Sequence, residues 1–281
     1  MALGDETIRA LPFVEGALTY LAPMQERART LAYDPGPGVP RTNMRYETHR
    51  VPVRDMRPIR DAVSLDGEGF ALVEHRSEVR DFYDEDELRR VYYPETERVV
   101  AAATGAARVV VFDHTIRRRT PGVEDRTPGI PRQPASRIHG DYTEKSGPQR
   151  VRDIMGEEAE TLLRRRFAIV NLWRPIRGPL RDMPLALCEA GSVAPEDWAE
   201  QDLVYRDRTG EIYALKYNPR HRWFYAPAMR ADEALLLKCY DSARDGRARF
   251  MPHTAFEDPA TPPDAPPRES IELRTLAFFD A

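Results

Sequence analysis

Cysteine is nearly absent from this sequence: Cys188 and Cys239 are the only two among 281 residues. Neither stands in a C-x-x-C or mixed Cys/His spacing, which excludes a disulfide scaffold or zinc ribbon and fits two buried thiols in a reducing cytosol. No apolar run approaches the roughly 20 residues that span a bilayer. The opening Met1-Ala2-Leu3-Gly4-Asp5-Glu6 carries no basic segment followed by an apolar core. Charge of one sign does not dominate either. With 42 basic against 46 acidic residues the formal net charge is −4, too weak a field to steer nucleic acid or an anionic membrane surface. These absences predict a cytoplasmic chain that meets a small molecule, with no nucleic-acid and no membrane partner, and they leave the oligomeric state open.

Proline is plentiful, at 25 residues, and it gathers at 35–40, 121–134 and 259–267. Punctuation of this kind suits a sheet-rich fold joined by long ordered loops. The length fits one catalytic domain over 1–281. Leu18, Leu21, Met24 and Leu31 keep spacings of three and seven before Asp34-Pro35-Gly36-Pro37-Gly38, and residues 1–45 read as an N-terminal arm. A strand is expected at 69–74, helix-compatible sequence at 78–90 and 93–103, and a buried β-branched strand at 108–113. Residues 115–136 read as a loop flanking the site in which Arg117, Arg118 and Arg119 are solvated, the alternative being that they receive an anionic substrate. Strand-like patches follow at 138–143, 167–173, 203–205, 211–217, 222–225, 234–240 and 270–279. A helical insertion over 147–166 interrupts them, with Val151, Ile154, Met155, Leu162 and Leu163 on one face. The pattern predicts a mainly β protein, a two-layered sandwich or jelly-roll with helices packed outside.

The sharpest local feature is Arg137-Ile138-His139-Gly140-Asp141-Tyr142-Thr143. Residues i and i+2 of a strand project from one face, so the His139 imidazole and the Asp141 carboxylate can meet one cation. A His-x-Asp pair alone is common. Met251-Pro252-His253-Thr254 adds a second imidazole, and Arg268-Glu269-Ser270 follows about fifteen residues later. Two histidines and one carboxylate form the facial triad of non-haem iron(II) oxygenases, which leaves three coordination positions open. 2-Oxoglutarate fills two of these and O2 the third. The far carboxylate of 2-oxoglutarate needs a bidentate cationic donor, the role that suits Arg268, with Ser270 on the same strand face. Arg274 shares that parity and is the rival; the His-to-Arg spacing of this enzyme class favours Arg268.

Asn171 and Arg174 lie in a strand-like run where both could engage a bound carboxylate; the alternative makes Arg174 a buried ion-pair partner. Lys238 either lines the pocket or reaches outward, and Trp223-Phe224-Tyr225 forms core or pocket wall. His114 reads as structural, and His49, His75 and His221 as ordinary surface residues. Two rivals use the same His139, Asp141 and His253: a zinc-dependent hydrolase with a metal-bound water, and a non-catalytic cupin-like binding protein. The hydrolase leaves Arg268-x-Ser270 unexplained.

Several blocks occur in one order: Val111-Phe112-Asp113-His114-Thr115-Ile116-Arg117, His139-Gly140-Asp141-Tyr142-Thr143, Asn171-Leu172-Trp173-Arg174-Pro175-Ile176, Pro184-Leu185-Ala186-Leu187-Cys188-Glu189, Lys238-Cys239-Tyr240-Asp241-Ser242 and Pro252-His253-Thr254-Ala255-Phe256. Over roughly 15–281 the chain resembles the hydroxylase/desaturase family that includes fungal gibberellin desaturase, AsaB-type fungal oxidases and a component of bacterial cephamycin methoxylation. The resemblance implies a double-stranded β-helix (jelly-roll, cupin-like) core and dependence on Fe(II), 2-oxoglutarate and O2. It also implies hydroxylation or desaturation of a secondary metabolite, with release of succinate and CO2. It transfers no particular substrate.

Overall fold

The computed structural model describes residues 4–280 apart from Arg126 and Pro128, which fall inside the proline-rich stretch expected to be a loop. In chain order the strands are β1 (Phe13–Leu21), β2 (Ala28–Leu31), β3 (Tyr46–Asp55), β4 (Phe70–Glu74), β5 (Arg108–Arg118), β6 (His139–Gly140) and β7 (Phe167–Pro175). They continue as β8 (Leu185–Cys188), β9 (Trp198–Val204), β10 (Thr209–Leu215), β11 (Trp223–Tyr225), β12 (Glu233–Asp241), β13 (His253–Ala255) and β14 (Glu269–Phe278). One sheet runs β1-β3-β11-β8-β13-β6-β10-β9-β2 and the other β4-β12-β7-β14-β5. This is the two-layered jelly-roll that the strand pattern predicts.

Alternation decides what each sheet buries. On β7, Phe167, Ile169 and Trp173 enter the core between the sheets beside Leu185, Leu187, Phe224, Leu235 and Leu237. Ala168, Val170 and Leu172 face the other way, against Val100 of the helix Tyr93–Thr104 and Tyr92 just before it. A strand covered on both sides must be continuously apolar, and each fully buried Leu or Phe contributes roughly 1.5–3 kcal/mol.

The N-terminal segment is not an arm. β1 pairs with β3 along its whole length, from Phe13↔Arg54 to Leu21↔Tyr46. From Gly16 to Tyr20 its buried residues Gly16, Leu18 and Tyr20 follow a period of two, with Leu21 also buried at the strand end, and this pattern overrides the three-residue spacing read from the sequence. Leu18 and Tyr20 cover Ala186, Cys188 and Trp223 on the outer face of the nine-stranded sheet, and Trp223 Nε1 donates to Tyr20 Oη at 2.7 Å. A Cβ at Gly16 would stand 2.7 Å from Val53 and 3.1 Å from Phe256, so only glycine lets the strands approach there.

Other boundaries also shift. β5 extends to Arg118, pairing Thr115↔Glu272, Ile116↔Ile271 and Arg117↔Ser270. Arg117 and Arg118 therefore belong to a strand, because Thr115 and Ile116 continue the β-branched run. The helix expected from 78 starts at Glu85, where the Asp84 side chain caps the Asp86 and Glu87 N–H groups. The helical insertion is the helix Ser146–Met155 followed by turns ending at Leu162.

Candidate metal centre

β6 and β13 are short, but their register is what builds the centre: His253 sits directly opposite His139. β6 is held on its other edge by β10 through Ala214↔His139. Gly140 leaves room for Trp198, whose ring would stand 3.0 Å from a Cβ placed there. Asp141 follows at once, so two imidazoles and one carboxylate converge, with ligand atoms within 4.8 Å of one another.

His139 Nε2 lies 3.6 Å and His253 Nε2 4.0 Å from Asp141 Oδ1. These separations exceed hydrogen bonds and suit a cation between the three groups. Each imidazole is turned by the carbonyl two residues earlier: His139 Nδ1 meets Arg137 O at 2.8 Å, and His253 Nδ1 lies 3.5 Å from Met251 O. Such contacts leave Nε2 for a metal. Burial, reinforced by His253, pushes His139 down to about 4. Burial alone would raise Asp141, but His253 and His139 outweigh it and hold the carboxyl below its usual range. Near neutral pH His139 is an uncharged imidazole and Asp141 an anion, the forms that bind Fe(II).

The other oxygen of Asp141 is held from β7 and β12. Asn171 Nδ2 donates to Asp141 Oδ2 at 2.7 Å and also to Glu272 Oε1, while Cys239 Sγ lies 3.6 Å from Asp141 Oδ2. Asn171 therefore orients the aspartate instead of reaching for a separate carboxylate ligand. With its nitrogen shared between two acceptors, its own Oδ1 is buried without a partner.

Ser270, Glu272 and Arg274 on β14 share one face with Arg268 just before the strand, and all but Ser270 line a narrow pocket with Arg117, Trp173, Leu185 and Leu237. Arg268 is 2% exposed. Its Nε donates to Ser270 Oγ at 3.0 Å and its Nη1 to Met183 O at 2.8 Å, and its guanidinium carbon lies 4.9 Å from the Trp173 ring centroid. These partners are neutral, and burial together with Arg117 outweighs the more distant carboxylates of Glu272 and Asp182 and pushes the guanidinium down to about 9. Arg274 differs: Nη1 meets Asp113 at 3.0 Å and Thr115 at 2.9 Å, and Nη2 lies 3.7 Å from Glu272. Burial would lower it, yet Glu272 and Asp141 raise it. Arg117 projects inward too and donates to Gln133 O at 2.8 Å, so it is no solvated loop residue. Past Arg117, Asp141 and Arg274 the pocket opens into a cleft of about 820 Å³ walled by Phe112, Tyr142, Ile212 and Arg150.

The structure does not bring every expected residue here. Arg174 lies on the opposite face of β7 from Asn171, because three residues along a strand reverse parity. It packs over Phe82 and Tyr92 and donates to Ala231 O. Lys238 neither lines the pocket nor reaches outward: it is 1% exposed and bonds Asp241 at 2.6 Å and Asp66 at 2.7 Å. His221 is buried against Asp197 at 3.1 Å, His75 is half-buried beside Arg174, and His49 stacks on Tyr217 at 3.6 Å, so these are not free surface histidines. His114 bonds Tyr93 Oη at 2.9 Å on the outer face, a structural role. Trp223, Phe224 and Tyr225 are core. Glu272 and Cys239 at the site are not expected from the sequence; the shared parity of 268, 270, 272 and 274 is the signal for Glu272.

A jelly-roll holding a two-histidine, one-carboxylate face with a buried arginine beside it that has no direct ion-pair partner among the described residues defines the class of non-haem iron, 2-oxoglutarate-dependent oxygenases. The relatives agree. A family model described as an oxidoreductase/YMDC permease-like domain matches residues 18–278; no helix among the described residues is long and apolar enough to cross a membrane. The hydroxylase/desaturase efuI of Hormonema carpetanum is 34% identical over 263 residues, covering 85% of this chain and 86% of its own. The alpha-ketoglutarate-dependent dioxygenase phiK of a fungal species is 34% identical, covering 95% and 96%. Among solved structures, the iron and alpha-ketoglutarate-dependent endoperoxidase NvfI superposes with a TM-score of 0.86 at 30% identity, over 96% of this chain and 99% of that one. This chain belongs to the hydroxylase/desaturase family of Fe(II)/2-oxoglutarate-dependent dioxygenases.

Proposed function

We propose that the whole chain acts as one catalytic domain that oxidises a small secondary metabolite, by hydroxylation first and by desaturation second, at an Fe(II) held by His139, Asp141 and His253. The observation that carries this reading is the convergence of those three side chains, with ligand atoms within 4.8 Å of one another, beside Arg268. When bound, Fe(II) with 2-oxoglutarate and O2 supplies an oxidant able to take hydrogen from an unactivated carbon, leaving succinate and CO2.

The chain's own residues supply geometry and a dry pocket. Arg268 takes the far carboxylate of 2-oxoglutarate because no carboxylate among the described residues pairs directly with its guanidinium, although Glu272 and Asp182 act on it from farther off, whereas Arg274 already pairs with Asp113 and Glu272. Ser270 Oγ accepts from Arg268 Nε, which leaves its hydroxyl hydrogen to donate to the same ligand. Trp173, Leu185 and Leu237 exclude water from that end, and the cleft beyond Asp141 receives the substrate. We read the protein as cytoplasmic, without a nucleic-acid or membrane partner, in keeping with two free, buried cysteines.

The test is succinate formation from 2-oxoglutarate by protein loaded with Fe(II) or with Zn(II), read with and without a panel of candidate metabolites. Turnover that depends on Fe(II) is expected. Zinc-dependent hydrolysis without succinate would overturn the reading.

A further inference from the structure

Glu272 is buried beside the metal centre without belonging to the triad. Its carboxylate stands between two groups that act on Asp141. On one side Oε1 accepts from Asn171 Nδ2, the nitrogen that also donates to Asp141 Oδ2. On the other, Oε2 lies 3.7 Å from Arg274 Nη2. Arg274 lines the same pocket as Asp141, and its field already reaches that carboxylate.

A guanidinium seeks a carboxylate that it can hold through two nitrogens. Arg274 Nη1 is tethered to Asp113, but the Asp113 side chain is 56% exposed and holds it weakly. If Glu272 lost its charge, Asp141 would be the buried anion left to Arg274 in this pocket. An arginine paired with Asp141 would take the oxygen that faces the two histidines.

We propose that Glu272 is a positioning residue that keeps Arg274 from pairing with Asp141, so that Asp141 Oδ1 stays free for the metal. Asn171 completes the arrangement by bridging the two carboxylates, fixing the rotation of Asp141. The proposal rests on His139, Asp141 and His253 being the ligands.

The test is titration of Co(II) into the metal-stripped full chain, followed by calorimetry. Glu272→Gln keeps size and the acceptor oxygen for Asn171 but removes the charge; its affinity for Co(II) should fall about tenfold or more. Arg274→Met alone should bind Co(II) no more weakly than wild type. The double variant Glu272→Gln/Arg274→Met should return to the wild-type range. Wild-type affinity in Glu272→Gln, a double variant as weak as that single variant, or an Arg274→Met variant that itself loses affinity would each overturn the proposal. A wild-type chain that fails to bind Co(II) would instead overturn the reading of the triad, so the two failures are distinguishable.

Discussion

Asn171 and Arg174 stand three residues apart on β7 and serve opposite sides of the sheet: one holds Asp141 at 2.7 Å in the metal pocket, the other packs over Phe82 and Tyr92 on the helix-covered face.

Arg174→Met should therefore leave Co(II) and 2-oxoglutarate binding unchanged while lowering stability by roughly 1–3 kcal/mol, through loss of the bond to Ala231 O and the ring contacts. Calorimetric titration measures the first quantity and denaturant unfolding the second. A variant as stable as wild type that no longer binds 2-oxoglutarate would return Arg174 to the site.

Asn171→Ala should cost metal affinity, about 10–100-fold, by freeing Asp141 Oδ2. Calorimetric titration with Co(II) checks it, and near-wild-type affinity would show that Cys239 and packing suffice to hold the carboxylate.

Arg268→Ala should weaken 2-oxoglutarate binding to the metal-loaded chain by roughly 2–5 kcal/mol, the cost of removing one partner of a buried charged pair. Metal affinity should stay put, since Arg268 touches none of the three ligands. If Arg274→Ala loses 2-oxoglutarate and Arg268→Ala keeps it, the assignment is reversed.

Asp241→Asn should destabilise the fold by about 3–5 kcal/mol, because Lys238 is 1% exposed and loses its closest carboxylate. Burial alone would raise Asp241, but Arg166 and Lys238 hold it below its usual range. A depressed folded value means that this stabilisation is present above the unfolded carboxylate pKa of about 4 and is lost as pH falls through the folded value. The gap between wild type and variant in thermal unfolding should therefore be full at pH 7 and shrink in acid. A gap that does not change with pH would remove the charge from the explanation.

Much of this site was legible in the chain itself. His139 and Asp141 are two apart and Arg268 and Ser270 are two apart, and the period of a strand is local, so one face could be assigned without knowing any neighbour. The same rule, applied to Asn171 and Arg174, separates them, and applied along β14 it reaches Glu272. The strand-like patches at 167–173 and 234–240 proved to be the strands buried on both faces, whereas the β-branched run at 108–113, expected to be buried, forms part of the edge strand β5 and is only partly covered.

Pairing and charge compensation are different in kind. That β1 pairs with β3 and covers Trp223, that His253 stands opposite His139, and that Arg274 pairs directly with Asp113 and Glu272 while Arg268 has no direct ion pair among the described residues, all depend on segments far apart in the chain. The sequence by itself determined which side chains could ligate and which strand faces they shared. Only the tertiary structure decided which arginine is left without a direct ion pair, because the energy of a buried charge is set by what stands within a few ångströms of it.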